Sequence, residues 1–528
     1  MSCGSRIPEP LAIIARMATE IELKLALSPA AAARFVRLPR IKRWATAKPR
    51  RDRLVSRYYD TPGLQLRAQQ VALRVRQAGR HWVQALKGAG QAQGGLHTRA
   101  EWETPVAGFA PEFDRLPQPA LAILNRIEGA ARDIRPIFTT DFTRTTWQLE
   151  IDGALIEAAL DQGEIYAGRR KQPLCEIELE LKHGNPRILF DCALALLDDI
   201  PLLPEHRSKA ERGYALYLRT PARPVKAGPV VLESTAGAGQ AFQTIAFACL
   251  TQMRANYDGV LHSRDPEFVH QMRVALRRLR ATFAIFKPVI QSKAMPAMRR
   301  GLDALATSLN ATRDWDVWMT ETLPRLMSEH PATPGLALLR RRAQAHRARY
   351  RRETQQRLTS SAYAQLMLTL ECWLTGLPQA GLKRAQHKLW RAPILPFAGA
   401  ALAALDQKAH RRGENLAQLS IPQRHRLRIA VKKLRYGTAF FAPLFYSEGN
   451  TCDYLTQLEN MQTELGLLND LAVAEILLAE IAAGRSTPAL VRAVEFARDW
   501  LQAQHRAHHR SLVKRWEKFT QTTPFWQA

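Results

Sequence analysis

Two periodicities divide the chain. Up to about residue 216, short segments alternate apolar and polar positions with period two; from Gln240 onward nearly everything repeats with helical period. The alternating segments are TEIELKLAL, VALRVRQ, HWVQALKG, TRAEWETPV, DFTRTTWQLEID, ALIEAALDQGEI and CEIELELK, punctuated by Gly or Asp turns. They predict a largely antiparallel sheet or barrel, interrupted by helices near 29–37 and 186–197. The stretch from Thr220 to Gly239 is rich in Pro, Gly and Ala and reads as a linker. The expected fold class is therefore α+β: an N-terminal antiparallel β barrel over 17–219, a linker over 220–239, and a separate all-α domain over 240–518.

The helical part contains an internal repeat. HQMRVALRRLRATFAIFKP begins at His270 and HRLRIAVKKLRYGTAFFAP at His425, and each precedes a related segment, Leu309–Trp318 or Leu465–Ala474. Two copies predict two duplicated helical bundles. Asp265 and Pro266 mark the start of the first helix and Pro288 its end. At about 100° per residue, Met272, Ala275, Leu276, Leu279, Phe283 and Phe286 share one face. His270, Arg273, Arg277 and Arg280 form a stripe elsewhere. The second copy repeats this with Leu427, Ala430, Val431, Leu434 and Phe441 against His425, Arg428, Lys432 and Arg435. Arg278 and Lys433 add a charge beside each stripe. A single basic face is ordinarily a solvated one. Four basic positions recurring in register, without nearby acids to pair them, repel one another and point to a bound polyanion.

The strands carry a polar face of their own. Glu20, Glu22 and Lys24 alternate with Ile21, Leu23 and Leu25, and Glu176, Glu178, Glu180 and Lys182 share one face of a later strand. Arg74 with Arg76, and Arg99 with Glu101 and Glu103, do likewise. A wet, salt-bridged sheet face explains any one of these strands. Three carboxylates in a row still need a cation or facing basic groups. Carboxylates for a divalent ion beside Arg and Lys for phosphate oxygens are the parts that phosphoryl transfer requires. A charged interior would turn the apolar faces outward, towards covering helices.

Composition narrows the partners. With 528 residues, several domains are expected, and the net charge of +28 calls for a polyanion: nucleic acid, an anionic membrane surface or a phosphate polymer. Roughly +10 of it falls in residues 1–230 and roughly +18 beyond. No apolar run approaches the ~18–20 residues of a membrane span, and residues 1–16 lack a signal-peptide cleavage pattern. Met17 is the expected functional start. Six scattered cysteines argue against a disulfide framework or zinc site and fit a reducing cytoplasm.

The ordered series Glu20-x-Glu22-x-Lys24, Tyr58-Tyr59-Asp60-Thr61-Pro62, Leu73-Arg74-Val75-Arg76, Leu86-Lys87, Arg99-x-Glu101-x-Glu103, Asp161, Glu176-x-Glu178-x-Glu180 and Ser208-Lys209-x-x-Arg212-Gly213 resembles the CYTH family of triphosphate tunnel metalloenzymes over about Ala18–Leu216. The resemblance implies a β tunnel that takes a triphosphate end-on. It implies that Lys24, Arg74, Arg76, Lys87, Arg144, Lys209 and Arg212 hold phosphate oxygens, and that Glu22, Glu176 and Glu178 hold Mg²⁺ or Mn²⁺. Glu20, Glu180, Glu101, Glu103 and Asp161 are further metal candidates, and Lys24, Glu20 and Lys87 carry catalytic roles. The expected activity is hydrolysis of inorganic triphosphate to pyrophosphate and phosphate. Other members of the family cyclise ATP or cleave thiamine triphosphate, and the tunnel motifs do not separate these outcomes.

The repeated stripe helix, with Arg313-Asp314-Trp315-Asp316-Val317 and its counterpart Asn469-Asp470-Leu471-Ala472-Val473, resembles the CHAD domain over roughly Gln240–Lys518. That implies two related bundles about a pseudo-twofold axis, with a basic cavity for long-chain polyphosphate lined by the ten stripe and flanking residues named above. A non-catalytic polyphosphate-granule protein remains an alternative. Nucleic acid is disfavoured because few aromatics interleave the basic positions. The expected location is cytoplasmic, with association to polyphosphate granules and no membrane.

Overall fold

The computed structural model describes residues 18–88, 91–93, 96–127, 133–219, 222–292, 294–376, 384–445, 448–484 and 487–527. Met17, Thr220 and Pro221 lie outside the described residues, as do the side chains of Glu20 and Arg99. The chain divides into two compact units. One runs to Pro221 and includes Met367–Thr375; the other comprises Ala222–Leu366 and Gly376–Ala528.

In the first unit the strands are β1 (Ala18–Ala26), β2 (Arg50–Asp60), β3 (Ala72–Ala78), β4 (His81–Lys87), β5 (Gln91–Gln93), β6 (Leu96–Val106), β7 (Arg135–Ile151), β8 (Ala154–Ala167), β9 (Arg170–His183) and β10 (Leu203–Pro204). They form one antiparallel sheet in the order β10-β1-β9-β8-β7-β2-β3-β4-β6-β5. β1 pairs with β9 through Glu22–Ala26 and also with β6 through Ala18–Leu23, so the pairing returns to its start and rings an interior face. Helices α1 (Pro29–Phe35), α2 (Pro39–Trp44), α3 (Gln65–Ala68), α4 (Gln118–Asn125), α5 (Arg187–Asp199) and α6 (Lys209–Leu218) accompany them. Of these, α1 and α5 fall where the sequence placed helices.

The strand alternation puts apolar side chains outside the ring. Leu23 and Leu25 on β1, and Ile177 and Leu179 on β9, are fully buried, and α5 packs over those strands with Leu189, Phe190, Ala193 and Leu196. On another side Leu73, Val75, Leu86 and Trp102 cluster with Ala120 and Leu124 of α4. At about 1.5–3 kcal/mol for each large apolar side chain, this outer layer supplies the cohesion that a charged interior lacks. One wall of the interior is apolar too, where Tyr214 of α6 meets Phe138 edge-on. Gly213 makes that approach possible, since a Cβ there would lie 2.1 Å from the Phe138 ring.

The second unit is helical: α7 (Ala238–His262), α8 (Glu267–Ile285), α9 (Lys287–Ile290), α10 (Met295–Val317), α11 (Leu323–Glu329), α12 (Leu336–Leu358), α13 (Ser361–Thr375, whose last turns group with the first unit), α14 (Arg384–Trp390), α15 (Ile394–Gly413), α16 (Ile421–Phe441), α17 (Glu448–Ala482) and α18 (Pro488–Thr520). A π-helical turn, Trp318–Thr322, joins α10 to α11. The apolar faces read from the two repeat segments are buried in both copies. Helices pair as α7 with α8 and α10 with α12 in the first half, and as α15 with α16 and α17 with α18 in the second. Across the halves, α7 touches α15, α8 touches α16, α10 touches α17, and α12 touches α18. Each element meeting its own counterpart is the contact pattern of a dyad. The described part of the linker is held against this unit. Asn256, fully buried, accepts from Val225 N (3.0 Å) and donates to Val225 O (2.9 Å).

Candidate functional site

Register, more than sequence neighbourhood, assembles the interior of the ring. Lys24 on β1 stands opposite Glu178 on β9, Glu176 opposite Asp161 on β8, and Asp161 opposite Arg144 on β7. Around the other side Lys87 on β4 faces Glu101 on β6. The N-cap Ser208 and its capping box with Glu211 fix the start of α6, which presents Lys209 and Arg212 to β9.

These groups form a dense ionic cluster. Lys24 Nζ lies 2.6 Å from Glu22 and 3.0 Å from Glu178. Arg144 grips Asp161 with two 2.7 Å hydrogen bonds and reaches Glu178 at 2.5 Å. Arg212 donates to Glu176 at 2.6 Å. Asp161 and Glu176 are fully buried, and together with Glu178 each places a carboxylate oxygen within 4.8 Å of the others. A second group adjoins it. Glu101 bridges Arg74 (3.1 Å) and Lys87 (3.0 Å), and Glu103 lies 3.5 Å from Arg74.

Burial by itself would discharge these groups, and the pairing reverses that. Burial draws the Lys24 ammonium down, but Glu178, Glu22 and Glu176 outweigh it and hold it well above its ordinary value. Burial pushes Glu178 up, and Lys209, Lys24 and Arg144 overcome it and hold the carboxyl well below the usual range. Arg76 is the exception: burial, then repulsion from Arg74 and Arg144, lowers it to about 10. Its Nε has no hydrogen-bond partner, and neither do the buried hydroxyls of Ser56 and Thr140. Ser56 stands in register with both Arg76 and Thr140. The two hydroxyls were missed from sequence; their only signal is the parity of β2 and β7, which places them on the charged face.

Asp161, Glu176 and Glu178 fit a hard divalent ion: three oxygen donors converge, and oxygen sets of this kind suit Mg²⁺ or Mn²⁺. Of the expected ligands, Glu176 and Glu178 belong to this trio, while Glu22 pairs with Lys24 and Asp161 completes the set.

In the helical unit α8 and α16 touch, and their stripes line two lobes, about 450 and 370 Å³ in volume. Arg273, Arg277, Arg428, Lys432 and Tyr436 border both. His270 and Arg435 belong to the smaller lobe; His425, Arg280 and Lys433 belong to the larger. His270 Nδ1 and the Nε atoms of Arg273, Arg277 and Arg428 are buried without a hydrogen-bond partner. Burial and then neighbouring arginines lower His270 to about 4, Arg273 to about 10 and Lys432 to about 6. His270 is thus a neutral hydrogen-bonding group at pH 7 rather than a charge.

At three stripe or flanking positions the structure shows partners that the sequence did not. Arg278 does not line either lobe; one residue round the helix from Arg277, it donates to Gln252 (3.1 Å) and lies over the Phe440 ring at 5.4 Å. Arg280 and Arg435 do have acids: Asp303 at 2.7 Å and Glu459 at 3.5 Å, two contacts that match across the dyad. These acids come from α10 and α17, distant in sequence from the stripes they neutralise. Asp314 and Asp470, from the motifs after each stripe, both bear on Arg273 and Arg428, and burial raises the Asp314 carboxyl.

Residues 18–214 match the CYTH domain model, and residues 244–479 match the CHAD domain model. A curated inorganic triphosphatase from Haemophilus influenzae is 37% identical over 212 residues, 38% of this chain and 55% of that protein. The chain thus spans about half the length of that relative. The crystal structure of the CHAD domain from the plant Ricinus communis is similar with a TM-score of 0.51 and 32% identity, covering 57% of this chain and 98% of that one. Among the described residues, no helix is long and apolar enough to cross a membrane. Motifs, ring topology and paired stripe helices converge with these comparisons: the chain carries a CYTH domain followed by a CHAD domain.

Proposed function

We propose that the β ring hydrolyses inorganic triphosphate to pyrophosphate and phosphate with Mg²⁺ or Mn²⁺, and that the helical cavity binds long-chain polyphosphate. The observation that carries the first part is the convergence of Asp161, Glu176 and Glu178 within 4.8 Å amid buried lysines and arginines. The likeness to an inorganic triphosphatase supports the same substrate. A divalent ion held by that trio would neutralise charge on the transferred phosphoryl group and orient the attacking water. Lys24, Arg74, Arg76, Lys87, Arg144, Lys209 and Arg212 hold phosphate oxygens, and the hydroxyls of Ser56 and Thr140 supply neutral donors. Phosphoryl transfer of this kind rests on positioning and electrostatics. Glu178, held ionised, serves as an acceptor and ligand rather than a proton donor. Phosphate release is measured from tripolyphosphate, ATP, thiamine triphosphate and long-chain polyphosphate, each with Mg²⁺ and with Mn²⁺. Tripolyphosphate as the preferred substrate is the expected result; no release from it with either ion sinks this reading.

The second part rests on the four unpartnered buried nitrogens of His270, Arg273, Arg277 and Arg428. Nitrogens left without partners at such a cost favour a ligand rich in acceptor oxygens. Competition at fixed ionic strength tests it, because anion binding of this type is salt-dependent. A preference for RNA or DNA over long-chain polyphosphate contradicts it. Cytoplasmic residence and association with polyphosphate granules follow as parts of the same proposal.

A further inference from the structure

Lys209 occupies a singular position in the ring. Its Nζ lies 2.7 Å from Asp161, 2.5 Å from Glu176 and 2.9 Å from Glu178, so one ammonium touches every member of the trio that fits a divalent ion. Around it four carboxylates, Glu22, Asp161, Glu176 and Glu178, are salt-bridged to four cations, Lys24, Arg144, Lys209 and Arg212. We propose that Lys209 and the divalent ion are alternative occupants of one carboxylate cage, so that metal and triphosphate enter the ring together rather than metal first. This rests on the triphosphatase reading above and adds an order of binding to it.

The physical reason is charge on side chains largely shielded from solvent. A divalent cation added alone would leave two uncompensated positive charges among side chains that are almost fully buried, and would force the ammonium off its three partners. A triphosphate brings the missing negative charge and offers Lys209 and Arg144 new oxygens. Their departure frees the three carboxylates for the ion. Only the side chain has to move, because the capping box at Ser208 and Glu211 anchors the first turn of α6. A lysine is suited to this, being a compact charge on a flexible stem. The Phe142 ring, 5.3 Å from Nζ, flanks the place it occupies.

The test is Mn²⁺ binding to the full chain by electron paramagnetic resonance, with and without a non-hydrolysable imido analogue of tripolyphosphate. Tunnel-bound Mn²⁺ is scored as the fraction lost in Glu178→Gln. The expected result is that the analogue tightens Mn²⁺ binding at least about tenfold, a coupling of about 1.4 kcal/mol. Lys209→Met should tighten binding of Mn²⁺ alone by a similar factor. Wild-type protein that binds Mn²⁺ as tightly without the analogue as with it overturns the proposal, and this comparison needs no variant. Folded Lys209→Met with unchanged affinity for Mn²⁺ alone overturns it as well. If the protein neither binds the analogue nor releases phosphate from tripolyphosphate, the triphosphatase reading fails and this one with it. If release is intact but Mn²⁺ binds first and tightly, only the binding order fails.

Discussion

The ring and the helical cavity both gather cations away from water, and they treat them in opposite ways. In the ring each cation around the trio has a carboxylate within 2.5–3.0 Å, and the cluster is balanced. In the cavity Arg273, Arg277, Arg428 and Lys432 crowd one another; Asp303 and Glu459 form ion pairs with the outer Arg280 and Arg435, and Asp314 and Asp470 offset the inner cations only in part. A balanced cluster resists a lone ion of either sign and accepts a small anion together with its metal. An unbalanced one is held at a cost and is relieved by any chain of negative oxygens that fits. On the proposed reading this difference separates a site for chemistry from a site for retention.

The comparison breaks most readily at the trio. Glu178→Gln removes a carboxylate shared by Lys24, Arg144 and Lys209, and kcat on tripolyphosphate should fall at least about 100-fold. Polyphosphate affinity of the same variant reports the integrity of the helical unit. Next in size, Arg273→Ala with Arg428→Ala should weaken binding of long-chain polyphosphate about 30- to 100-fold, read as Kd at fixed salt. The slope of log Kd against log salt should become shallower. A variant that keeps full affinity would place the polymer elsewhere.

Acidity sharpens the contrast. Lys432 is lowered to about 6 by burial and by Arg428, Arg277 and Arg273, with Asp470 opposing them. A polyanion favours its protonated form, so binding is tightest below pH 6 and carries a proton with it above. Affinity should then fall as pH rises beyond 6, by up to about tenfold per unit. Lys432→Arg should flatten that profile. In the ring, the paired Lys24 and Glu178 stay charged through this range, so they add no such slope. The smallest effect is expected at Arg280, exposed and paired with Asp303: Arg280→Ala should change polyphosphate affinity less than about threefold.

Much of the fold was legible because period and parity are local. The alternation of TEIELKLAL and CEIELELK assigned Lys24, Glu176 and Glu178 to one face and Leu23, Leu25, Ile177 and Leu179 to the other, as the structure has them. The apolar positions of the repeat helices were equally plain. Arg278 shows where such reasoning stops. Its charge and its neighbour Arg277 suggested the stripe, yet a rotation of about 100° sends it to Gln252 and Phe440. Composition marks the linker but not its contacts, such as Asn256 holding Val225 from both sides.

By itself the sequence determined which residues are charged, which face each occupies, and that the helical half is doubled. Those are consequences of spacing along a strand or helix. Tertiary structure decided which charges meet. Strand register set Asp161 beside Glu176 and Arg144, and the start of α6 carried Lys209 into the middle of the trio. The meeting of α8 and α16 left Arg273, Arg277, Arg428 and Lys432 lining shared lobes, while α10 and α17 brought Asp303 and Glu459 into salt-bridge distance of Arg280 and Arg435 and set Asp314 and Asp470 near Arg273 and Arg428. Coulomb energy depends on distance through space, and residues on different elements acquire that distance only when the chain folds.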